Sequence, residues 1–146
     1  MAIVITNFRE KQRSKKMDYE RKVLRDLSLG QLRKEFQQIF RPFFEYSLLY
    51  QQEIEDACID IAIDAYLLGA AYSRFAYHGE TLNDIRNRSS VQENELVESL
   101  FDYWQFWCWG TEPMMESLQQ CCQFYVERWW QEGYRNGEKR YKMRLH

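Results

Sequence analysis

Glycine and proline are scarce in this chain of 146 residues, at six and two. That scarcity argues against turn-rich β architectures and for long uninterrupted helices. Long hydrophobic runs are missing too. No stretch approaches the roughly 18 apolar residues that a membrane-spanning helix needs. Histidine is limited to His78 and His146, so the Glu-x-x-His pairs of di-iron helical bundles do not occur. The four cysteines, Cys58, Cys108, Cys121 and Cys122, form no C-x-x-C pair, and adjacent Cys121 and Cys122 are poorly spaced to ligate one zinc ion. Free, buried thiols are the expectation. A Gly-rich phosphate loop and a G-x-S-x-G elbow are both lacking. The opening MAIVITNFREKQRSKK sets its short apolar run ahead of its basic residues, the reverse of a secretory signal. The expectation is a soluble cytoplasmic protein.

What the chain has in excess is aromatics, with five Trp, ten Tyr and nine Phe. Its charge is also unevenly placed. Residues 1–41 carry a net +6, residues 42–127 a net −12, and residues 128–146 a net +4. A near-neutral protein is thus basic, acidic and basic in turn. Packing of the basic ends beside the acidic middle is the simplest electrostatic expectation.

Helical patterning covers nearly every stretch. Asn7 with Glu10 reads as a capping box opening a basic helix to about Asp26. Its apolar residues gather in the second half, so residues 1–16 are expected to fray or extend. Ser28 with Gln31 opens a second helix, and Pro42 ends that helix or opens the next. Residues 43–77 are helical again, with a break near residues 48–52, and His78-Gly79 is the stop signal. Residues 81–88 are polar and read as a loop or a short helical turn. Ser90 with Glu93 then caps a helix running to Trp109 and Gly110, and Thr111-Glu112-Pro113 starts a last helix to about Tyr141. No alternating pattern argues for a strand. The prediction is one all-α domain over residues 1–146, a bundle of four or more helices with a largely buried central helix.

That central helix is EIEDACIDIAIDAYLLG, residues 53–69. At about 100° per residue, Glu53, Asp56, Asp60 and Asp64 form one narrow column, while apolar residues cover the remaining girth. Such a column is either a solvent-facing seam or a row of carboxylates awaiting a cation. Glu95, Glu98 and Asp102 make a second column at i, i+3 and i+7. Two facing columns would hold Mg²⁺ through oxygen ligands and support nucleotide hydrolysis. Acidic residues at this spacing are also ordinary on solvated faces, and the seam is preferred: no metal, cofactor or catalytic residue is assigned. His78, beside Gly79 and Glu80, reads as a helix-end cap rather than a base.

Two features bear on packing and partners. Gly133 and Gly137 clear one face of the last helix, and Gly69 with Ala65 and Ala70 flattens the central one, so the two flat faces are expected to dock. In FDYWQFWCWG the aromatics point in nearly every direction, more than one core readily receives. Trp104, Trp107 and Trp109 are therefore candidates for a homodimer surface. The basic residues of the first helix invite a nucleic-acid reading, but they point all ways and no known module accompanies them. Neither nucleic acid nor membrane is the expected partner.

The segments ACIDIAIDAYLLGAAYSRFAYHGE, YVERWWQEGYRNGEKRYKMRLH and RKVLRDLSLGQL resemble the YbaK-like family of small proteins from Bacillus and related spore formers, which is distinct from the like-named tRNA-editing deacylases. The resemblance implies a bacterial, cytosolic, helical protein and brings no catalytic residues with it. A non-enzymatic, self-associating interaction or structural protein is the first reading. A magnesium-dependent nucleotide hydrolase and a nucleic-acid-associated factor are the alternatives.

Overall fold

A computed structural model describes residues 2–47 and 51–143, with side chains from residue 9 onward. In order, the elements are α1 (Ala2–Leu24), α2 (Leu29–Phe40), a 3₁₀ turn (Arg41–Tyr46), α3 (Gln51–Tyr72), the one-turn α4 (Arg74–Tyr77), α5 (Leu82–Trp107) and α6 (Glu112–Lys142). No strand occurs among the described residues; a single antiparallel bridge joins Ser47 and Cys108. No described helix is long and apolar enough to cross a membrane.

Local chemistry sets most boundaries. Ser28 accepts the Gln31 N–H at 3.3 Å and caps α2. Thr111 accepts the Met114 N–H at 3.4 Å, and Pro113 sits in the first turn of α6. Gly79, at φ +93°, takes the left-handed conformation that closes α4, and the Glu80 N–H reaches back to the Phe75 carbonyl at 3.0 Å. Two other expected starts fall elsewhere. Asn7 lies inside α1, which begins at Ala2 and stays exposed from Arg9 to Asp18. Ser90 lies in mid-α5, its hydroxyl donating to the Asn87 carbonyl at 2.8 Å. The true cap of α5 is Thr81, accepting from Asp84 N–H at 3.3 Å, so residues 81–88 are cap and first turns rather than loop. Of residues 48–52, where a break was expected, 48–50 lie outside the described residues, and Gln51 and Gln52 open α3.

The core is assembled around α3. Its buried residues include Ile54, Cys58, Ile59, Ala62, Ala65, Tyr66 and Ala70, met by Phe36 and Phe40 of α2, Leu100 and Trp104 of α5, and Leu118, Cys122, Tyr125 and Trp129 of α6. α3 packs most extensively on α6. The expected docking of flat faces is what makes that contact. A Cβ on Gly69 would collide with the Trp130 carbonyl, and one on Gly133 with the Tyr66 carbonyl. Polar ties cross the same core: the Tyr125 hydroxyl donates to the Cys58 carbonyl at 3.1 Å, and Trp130 Nε1 donates to Ser89 Oγ at 2.8 Å.

Candidate functional site

The aromatic helix end resolves into an inside and an outside. Trp104 is core, stacked on Phe40 at 5.1 Å, and so is not available to a second subunit. Trp107 is half-buried, while Phe106 and Trp109 are 72% and 57% exposed. α5 stops at Trp107, two residues short of expectation, because Cys108 turns extended to meet Ser47. The Trp109 N–H then donates to the Tyr46 carbonyl at 2.8 Å instead of continuing the helix. The Tyr46 ring meets the Trp109 ring edge-on at 5.5 Å, and Phe106 meets Trp107 edge-on at 4.8 Å. The Met114 side chain folds over Gly110, and the Thr111 cap fixes the exit into α6. The outcome is a hydrogen-bonded corner that displays large apolar rings to solvent.

The acidic columns are solvent-facing. Glu53, Asp56, Asp60 and Asp64 on α3 are exposed, as are Glu95, Glu98 and Asp102 on α5. Asp64 and Glu95 line a shallow groove of about 330 Å³ between the two helices. Partial burial, then the neighbouring Asp60 and Glu20 charges, raise the Asp64 pKa above the ordinary carboxylate value. No group of three or more His, Cys, Asp or Glu among the described residues is placed to hold a metal ion. Asp60→Asn should therefore alter stability by less than about 1 kcal/mol. Mg²⁺ or Mn²⁺ should leave the melting temperature of either form unmoved. A metal-dependent rise that is lost in the variant would make the columns a site.

All four thiols are free, and burial raises each above its ordinary pKa, Cys58 to about 12. His78 is exposed at the end of α4, its ring edge-on to Tyr77 at 5.4 Å.

Charge pairing departs from the simple expectation. The basic ends meet the acidic middle through the Arg33–Glu55 pair at 3.2 Å. Elsewhere they answer one another: Arg128 pairs with Glu35 at 3.0 Å, and Arg140 pairs with Asp26. Buried Glu55 and Arg140 had no signal in the sequence pattern, because their partners, Arg33 and Asp26, are distant in the chain, while buried Glu93 is answered from two turns earlier in its own helix. Arg86 answers Glu93 at 3.3 Å and lies over the Trp130 ring at 4.8 Å.

The chain belongs to the family described as "Protein of unknown function (DUF2521)", whose model matches residues 1–146. It is 30% identical over 143 residues to a Bacillus subtilis (strain 168) protein called "Uncharacterized protein YbaK", covering 97% of both chains. No solved structure matches it.

Proposed function

We propose that this protein is a non-enzymatic interaction module of the bacterial cytosol that pairs with a second copy through the corner at residues 106–110. The observation that carries the reading is the exposure of Phe106 and Trp109 on a hydrogen-bonded frame. Aromatic rings have few rotatable bonds, so they lose little conformational freedom on association and gain the burial of their faces. Residues 106–110 carry no charge, so the patch can meet its own copy, as an isologous two-fold contact requires. Free thiols support a reducing compartment, and the Bacillus relative supports a bacterial source.

Sedimentation equilibrium tests it. The parent chain should form dimers at micromolar concentration, and Phe106→Ser or Trp109→Ser should return them to monomers while leaving the circular dichroism spectrum unchanged. A parent chain that stays monomeric up to high concentration would remove the reading.

A further inference from the structure

The basic ends of the chain converge at the end of α6 remote from the aromatic corner, about 46 Å away along its 31 residues. There Lys22, Arg25 and Asp26, at the close of α1, face Asn136, Lys139, Arg140 and Met143 across a groove of about 730 Å³. Four of these seven residues are cationic and one is anionic. Helix C-termini favour cations, which accounts for exposed Lys22, Arg25 and Lys139. It does not account for Arg140. A favourable interaction with a helix end requires no burial, yet its side chain is only 9% exposed. Its Nη2 donates to the Asp26 carboxylate, and its Nε is buried with no hydrogen-bond partner among the described residues. Leaving such a donor unmet is costly, because it has given up its water and gained no acceptor in return.

The geometry points to a binding groove for the phosphate chain of a small polyphosphorylated molecule. Nε and Nη2 share one edge of the planar guanidinium, the edge that grips an oxyanion bidentately. Asp26 satisfies half of that edge. It is half exposed, at 50%, so the carboxylate borders the open groove. A phosphate in its place gives both donors an acceptor, and Lys22, Arg25 and Lys139 surround the remaining oxygens. The groove falls within the roughly 300–1,000 Å³ usual for small-molecule sites. Nucleic acid would need cations along a track. Here four cations meet in one groove, and residues 42–127 carry a net −12. The proposal does not depend on self-association.

Isothermal titration and thermal melting of the full chain test it, with tripolyphosphate and ATP as probes. Adenosine, an oligodeoxynucleotide and sodium sulfate at matched ionic strength are the controls. Both phosphate probes should bind saturably and raise the melting temperature, and adenosine should do neither. Equal affinity for the two probes would place recognition in the phosphate chain; tighter ATP binding would add a nucleoside contact. Replacing exposed Lys22 and Lys139 by Gln should weaken binding about tenfold or more without moving the ligand-free melting temperature. Asp26→Asn, which removes the internal competitor, should tighten it. Absence of a saturable effect, its reproduction by sulfate, or full binding in the double variant would each overturn the proposal. Preferential binding of the oligodeoxynucleotide would do so as well. Weaker binding by Asp26→Asn would overturn the part given to that carboxylate.

Discussion

Gly133→Ala and Gly69→Ala are each expected to destabilise the fold by at least about 3 kcal/mol, although both lie in helices where alanine is the better residue. On propensity alone each change would gain roughly 1 kcal/mol. The opposing effect is steric. A Cβ on Gly133 would come within 3.0 Å of the Tyr66 carbonyl carbon, carbonyl oxygen and Cα. A Cβ on Gly69 would meet the Trp130 carbonyl and the Tyr134 nitrogen as closely. Those are backbone atoms of two packed helices and cannot rotate aside. Relief requires α3 and α6 to separate, which opens the core over Ala62, Ala65, Tyr125 and Trp129. Gly137 provides an internal comparison. Its Cβ would first meet the Ser73 hydroxyl, a side chain that can turn, so Gly137→Ala should cost clearly less. Urea unfolding followed by circular dichroism measures all three. A Gly133→Ala variant as stable as the parent would show that the helices are not in backbone contact.

That contact was legible because glycine weakens a soluble helix, and a neighbouring backbone at close range is what offsets the loss. The position of α3 was legible too, from apolar residues around most of its girth. The start of α5 was not. Thr81-x-x-Asp84 and Ser90-x-x-Glu93 look alike locally, and the apolar periodicity favours the later one. The inward face between them is held by Ile85, Ser89 and Glu93, two of which are polar. Ser89 is buried because Trp130 needs an acceptor, and Glu93 because Arg86 answers it. The second reason lies in a pair two turns apart within α5, wider than the i, i+4 spacing by which helical ion pairs are usually read, and the first lies in tertiary structure. The basic groove was hidden in the same way. Its cations come from residues 22–25 and 139–140, and nothing in the spacing within either segment says that they meet. The two acidic columns were legible as columns, but their exposure depends on what the neighbouring helices cover.

Trp104→Ala should cost about 3–5 kcal/mol in the stability of the monomer, and Trp109→Ser almost nothing. The two tryptophans stand five residues apart in one aromatic run, and composition cannot separate them. Five residues turn a helix by about 140°, so they would face different sides even if α5 continued. Because it ends at Trp107, Trp109 is carried off the bundle altogether. Trp104 is 1% exposed, stacked on Phe40 at 5.1 Å and edge-on to Phe43 at 6.3 Å. Truncating it leaves a cavity that α2 and α5 would have to collapse into. Among the described residues Trp109 is held by the Tyr46 ring, by the backbone hydrogen bond from its N–H and by the Cys108 thiol at its carbonyl, and the two backbone ties survive substitution. Unfolding at low protein concentration, where monomers prevail, isolates these costs from any contribution of association. A dimer interface at the corner then has a particular signature. Trp109→Ser should lose the concentration dependence of the melting temperature while keeping the monomer value, whereas Trp104→Ala should lower the melting temperature at every concentration. If Trp109→Ser instead destabilised the monomer as much as Trp104→Ala, the corner would belong to the core, and the case for a second copy would fall with it.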